Sequence, residues 1–143
     1  MAFIKEKKIH VLSEIENLLP SGAPDGELER TEASYDGFFK ISEGEYEISY
    51  SETSDSGKIV STIVISESSV KLTRRGAIES DITFCEGVED KSLYSLPPYS
   101  FDMVITTRKI RNNLTRDGGK LDIFYSMEIG GAHKRIRMSL SVR

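Results

Sequence analysis

The chain is 143 residues long, 38% hydrophobic and 29% charged, with a formal net charge of −4. That length predicts one domain over residues 1–143 with one hydrophobic core, and the composition excludes disordered and fibrous classes. The net negative charge gives no global attraction to nucleic acid or to an anionic membrane. The lone cysteine, Cys85, cannot form an intramolecular disulfide, which points to a reducing compartment.

The opening MAFIKEKKIHVL holds no apolar run long enough for a signal-peptide core, and no later segment approaches a membrane span. A cytoplasmic protein with no membrane partner is therefore expected. Almost everything that follows alternates with period two. In residues 9–15, Ile9, Val11, Ser13 and Ile15 share one face. Residues 19–26 are dense in turn formers and predict a loop. In residues 31–41, Ala33, Tyr35, Phe39 and Ile41 alternate with Glu32, Ser34, Asp36 and Lys40. A short connection at 42–44 leads into a half-buried strand with Tyr46, Ile48 and Tyr50 inward.

Residues 58–66 (KIVSTIVIS) are β-branched on both faces and predict a strand covered on both sides. Shorter strands follow at 69–74 and 78–84, hinged at Arg75 and Gly76. Another at 91–96 is closed by Pro97 and Pro98, which cannot continue a central strand. The last third predicts three longer strands at 100–111, 120–128 and 132–143, turned at Asp117–Gly119 and at Gly130 and Gly131. No stretch carries a helical apolar stripe. About eight to ten strands joined by hairpin-length turns predict an all-β antiparallel meander, and closure into a barrel removes its exposed edges.

Few residues carry recognisable chemistry. Cys85 reads as an apolar filler near a strand end rather than a nucleophile, because no nucleophile elbow or thiol-protease signature surrounds it. One cysteine and two distant histidines, His10 and His133, make no zinc spacing, and the pairs Glu14/Glu16 and Glu45/Glu47 lie on solvated faces. No metal or cofactor is expected, and no phosphate-cradling glycine loop is present. Arg74 and Arg75 are strand neighbours, so one of them points inward. It either holds a carboxylate or phosphate bidentately or pairs with a strand carboxylate such as Glu79 or Asp81. Residues 1–72 hold seven lysines and arginines against fourteen acids (net −7), and residues 73–143 hold twelve against nine (net +3). Arg108, Lys109, Arg111 and Arg116 flank one turn, while His133, Lys134, Arg135 and Arg137 open the last strand. Without an RNP-like or OB-type signature these read as solvated faces, and nucleic acid is not the expected partner.

Gly37, Phe38 and Phe39, the Tyr50-Ser-Glu52 strand end, Gly57-Lys58, Arg75-Gly76-Ala77 and Tyr94-x-x-Pro97 follow one another in a set order. Thr106-Thr107 and Gly119-x-Leu121-x-Ile123-x-Tyr125 continue it. From about Lys7 onward the series resembles the YwiB-like family of small bacterial proteins. The resemblance implies a calycin-like β-barrel, the architecture of lipocalins, in the cytoplasm of a Gram-positive bacterium, with no assigned biochemical role. By that analogy the expected function is a non-catalytic barrel binding a small, partly apolar or anionic ligand in its lumen. Arg74 or Arg75 and Tyr94 would anchor the ligand, and Phe84 and Phe101 would form the apolar wall. The alternative is a protein-interaction or homodimerising module using the outer face of residues 58–66, with an enzyme less expected than either.

Overall fold

Period-two patterning produces strands throughout the computed structural model, which describes residues 3–143. The elements are β1 (Phe3–Leu18), β2 (Pro24–Ser42), β3 (Glu45–Ser54), β4 (Gly57–Ile65), β5 (Val70–Gly76), β6 (Glu79–Phe84), β7 (Glu89–Leu96), β8 (Tyr99–Thr115), β9 (Gly118–Ile129) and β10 (Ala132–Val142). Each strand pairs antiparallel with the next, and β10 returns to β1 to close the barrel. The closing seam runs from Ile9 opposite Val142 to Leu18 opposite His133. This is the ten-stranded meander that the alternation predicts. The turns after β1, β3, β5, β7 and β9 form an upper end. The other turns and the described chain ends lie at the lower end.

Inward positions alternate as the side-chain period requires. Phe39, Ile48, Ile63, Ile65, Leu72, Ile82, Phe84, Met103, Ile105, Leu121, Ile123 and Leu140 fill most of the lumen and are almost wholly buried. Outward positions are mostly charged or polar, the reverse of a transmembrane barrel, whose outer band is apolar. No helix among the described residues is long and apolar enough to cross a membrane.

Three local findings depart from the sequence reading. First, β1 and β2 are much longer than the alternation indicates, because β2 begins at Pro24 inside the expected loop. From Pro24 to Asp36 this strand pairs only with β1, since β3 joins it at Gly37. Proline is tolerated on such a free edge, and Asp25, Glu27, Glu29 and Glu32 keep that edge charged. Second, β4 is covered on one side only. Ile59, Ser61, Ile63 and Ile65 are buried, whereas Val60 on the outer face is 39% exposed. Its β-branched outer residues suit an extended backbone whether or not anything covers them. Third, β6 and β7 share just two residue pairs, Glu79 with Ser95 and Ser80 with Tyr94. Below that point the Asp90 carboxylate accepts the Thr83 N–H at 3.1 Å in place of the missing ladder bond.

Gly37 sets how closely the inner wall packs beside the polar residues described below. A Cβ there would collide with the Ser49 carbonyl oxygen and stand 2.9 Å from Ile9 Cγ1. Gly37→Ala is therefore expected to cost about 2–3 kcal/mol, the usual penalty of overpacking. A urea midpoint within error of wild type would show that the wall can yield there.

Candidate functional site

Val70, Leu72 and Arg74 alternate on β5, so the rule that buries the first two sends Arg74 inward as well. Arg74 is half-buried and sits opposite Ser61 on β4 and Ser80 on β6. Arg75 points outward, and its Nη2 donates to both Asp81 carboxylate oxygens at 3.0 Å. The strand carboxylate Asp81 is thus paired by the outward Arg75, not by the inward arginine. Arg75 is corrected from ligand anchor to outer-face ion pair, because alternation places it on the solvent side.

Arg74 joins a polar cluster on the inner wall toward the upper end. Its guanidinium is close enough to Tyr35, Tyr50 and Tyr125 to stabilise the ionised form of each phenol. Tyr35 and Tyr50 stack with ring centroids 4.7 Å apart, and the Tyr35 hydroxyl donates to Glu52 Oε2 at 3.1 Å. Glu52 lies on the inner face of β3 near its upper end, yet Arg74 makes none of the ion pairs that Arg75 and Arg137 make. Arg74 Nε is buried without a hydrogen-bond partner, and so are Ser61 Oγ, Thr107 Oγ1 and Ser92 Oγ on the same inner wall. Ser61 and Thr107 are completely buried. The Tyr50 hydroxyl approaches Ser61 closely enough to lower its own pKa, but short of a well-formed hydrogen bond. Arg137 Nε, on the outer face, is likewise buried without a partner among the described residues.

Burial is the main force on the phenols. It pushes Tyr125 up to about 12 against the pull of Arg74. Tyr35 is also pushed up to about 12, by burial first and then by the Glu52 charge and hydrogen bond. Tyr50 is raised by burial too. The folded barrel therefore holds these protons more tightly than the unfolded chain does. The stability this confers is whole below the ordinary value near 10 and is lost as pH rises toward about 12. Alkaline titration followed at 295 nm should leave Tyr35 and Tyr125 protonated at pH 11 while the barrel stays folded. Ionisation of all six tyrosines by that pH would contradict the burial assigned here.

The other sequence candidates separate into core and rim. Phe84 is wholly buried and packs on Tyr125, centroids 4.8 Å apart, so it belongs to the packed core. Tyr94 is half-buried against that core near the upper end. Phe101 faces Tyr94 across the β7–β8 pair but is 41% exposed, because β8 leaves the closed wall there. It is a rim residue rather than a buried wall. Sequence reasoning missed the convergence of Tyr35, Tyr50, Tyr125 and Ser61 on Arg74, although alternation already places all of them inward.

Elsewhere the chemistry is sparse. Cys85 follows β6 at the lower end and His133 opens β10 at the upper end, so the fold keeps them apart. His10 is held between Ser34 Oγ at 2.8 Å and Glu32 Oε1 at 2.7 Å. Among the described residues no cluster of His, Cys, Asp and Glu could hold a metal ion. A cleft of about 490 Å³ at the lower end lies against Phe3, Ile41, Tyr46 and Ile65 and is rimmed by Glu43, Glu45 and Glu67.

With this geometry in hand, residues 21–140 match the family described as Domain of unknown function (DUF1934). Over 128 residues the chain is 27% identical to the uncharacterized beta-barrel protein YwiB of Bacillus subtilis (strain 168), covering 90% of this chain and 85% of that protein. The crystal structure of the ywiB protein from Bacillus subtilis superposes with a TM-score of 0.82 at 24% identity, over 98% of this chain and 93% of that one. The resemblance read from the sequence and the barrel fold thus stand on independent comparisons.

Proposed function

We propose, from the premise that the chain belongs to the DUF1934 family of β-barrel proteins of unknown function, that this member binds a small organic monoanion. The acid group sits against Arg74, and the apolar body points toward the upper mouth. The observation that carries this reading is the inward Arg74, whose buried Nε has no partner, opposite the equally unpartnered Ser61 hydroxyl.

Guanidinium and hydroxyl groups are donors that suit a carboxylate or a similar oxyanion. Glu52 on the same inner face already offsets part of the positive charge, which favours a single negative charge over a phosphate dianion. Beyond Arg74 toward the mouth, Tyr94, Val11, Ile15, Met127 and Ile129 give a partly buried apolar lining, with Phe101 exposed at the rim. This reading is non-catalytic and needs no cofactor. It also carries the finer expectations of a calycin-like, bacterial and cytoplasmic protein, the last supported by the unpaired Cys85.

The test uses 1-anilinonaphthalene-8-sulfonate, a monoanion with an apolar body, displaced by octanoate. A saturable one-to-one fluorescence gain is expected, weakened at least tenfold in Arg74→Gln and unchanged in Arg75→Gln, as loss of a charge-assisted hydrogen bond requires. Equal affinity in Arg74→Gln and wild type would sink the proposal.

A further inference from the structure

On the outer surface, β8 departs from ideal pairing. Thr107 opposes Tyr125, yet Lys109 opposes Phe124, so Arg108 is an extra residue in a β-bulge. A bulge re-aims side chains, and this one sends two consecutive cations to the outer face instead of one. The backbone opened beside it is secured by Glu86 Oε1, which accepts the Ile110 N–H at 2.7 Å. Arg108, Arg111 and Arg137 converge on the half-buried Phe124, with guanidinium carbons 6.0, 5.5 and 5.6 Å from its ring centroid.

The charges here are unequal in availability. Arg137 is held by Glu14 at 3.5 Å and by Asp122 at 3.4 Å, and Asp122 is itself bonded by Ser139. Arg135 is held by Glu16 at 3.3 Å. Arg108, Lys109 and Arg111 are exposed and make no such pair among the described residues. Two unpaired cations, Arg108 and Arg111, therefore crowd one aromatic ring, with the exposed Lys109 opposite it in the ladder, on a chain of net charge −4. Beside the ring lies a groove of about 130 Å³ whose walls include Arg108, Phe124, Arg135, Glu14 and Glu16.

We infer that this outer face binds single-stranded nucleic acid, independently of the ligand proposed for the lumen. Lys109 and Arg111 are two strand positions apart, about 6.8 Å, so with Arg108 they offer cations in a row for successive phosphates. Phe124 and the guanidiniums around it provide the stacking platform that single strands use. The groove is small enough to take one planar base and excludes a duplex. The carboxylates of Glu14 and Glu16 at its wall accept hydrogen bonds from an exocyclic amino group, which favours adenine or cytosine over uracil. An acidic protein surface would satisfy the cations but would leave the ring without a stacking partner and would be repelled by Glu14 and Glu16 at the groove wall.

The test is fluorescence anisotropy with a labelled 12-nucleotide oligo(A) on the full chain, at 50–200 mM salt. Binding that weakens with salt is expected, with oligo(A) ahead of oligo(U) and of the same sequence in a duplex. Phe124→Leu should weaken binding about five- to 100-fold without changing the salt slope, as loss of stacking does. The triple variant Arg108→Gln/Lys109→Gln/Arg111→Gln should lower that slope by about 2, since each single-strand phosphate contact contributes about 0.7. It also serves if Phe124→Leu fails to fold, because all three side chains are exposed. No binding at 50 mM salt would overturn the inference. So would polyglutamate binding equally well with no effect of Phe124→Leu, which would reveal a face for acidic proteins.

Discussion

Replacing Arg74 by Met is expected to stabilise the ligand-free barrel by about 1 kcal/mol while removing its affinity for organic anions. A polar group buried without a partner costs about 1–3 kcal/mol, and a charged one costs more. Arg74 is half-buried, which places it at the low end of that range. Methionine fills similar volume with no donor to satisfy, and apolar replacement of buried charges is often neutral or stabilising. Glu52 keeps its hydrogen bond from Tyr35 in the variant but loses the guanidinium whose charge it offsets, which keeps the gain small. For a chain of this length the gain corresponds to a rise of about 4 °C in melting temperature. A melting temperature that falls by several degrees would mean that Arg74 is a structural residue with partners of its own.

The second large effect separates two phenylalanines that look alike in sequence. Phe84→Ala should cost about 3–5 kcal/mol, because it deletes a wholly buried ring and its contact with Tyr125 from a filled lumen. At about 4 °C per kcal/mol, that lowers the melting temperature by roughly 12–20 °C. Phe101→Ala, at a rim position 41% exposed, should cost less than about 1 kcal/mol and act on ligand affinity instead. Denaturant midpoints measured side by side decide the matter. Similar losses for both variants would place Phe101 in the core and move the mouth of the barrel.

These two residues also show what could be read from the chain itself. Alternation is local, so Tyr46, Ile48 and Tyr50 on β3, or Leu121, Ile123 and Tyr125 on β9, were legible as inward-facing. The direction of Arg74 was legible in the same way, since Val70 and Leu72 precede it at the same period. The polar cluster was not. Tyr35, Tyr50, Tyr125 and Arg74 come from four strands, and their convergence depends on how far each strand slides past its neighbour as the barrel closes. Exposure at a rim depends on the same stagger, which is why Phe101 continues the inward pattern of Met103 and Ile105 yet stands open. The Arg108 bulge left a trace in the shift of inward residues from Thr107 to Ile110, but the cations brought around Phe124 depend on pairing with β9.

The central claim is that the Arg74 guanidinium receives the ligand's acid group. It is tested most directly by following the arginine Nε–H resonances of the ¹⁵N-labelled protein while octanoate is added. The Arg74 Nε–H, buried and unpartnered, should move to saturation at one equivalent bound, while those of Arg75 and Arg108 on the outer face stay in place. An Arg74 resonance that does not move while octanoate binds, or movement confined to the surface arginines, would contradict the account.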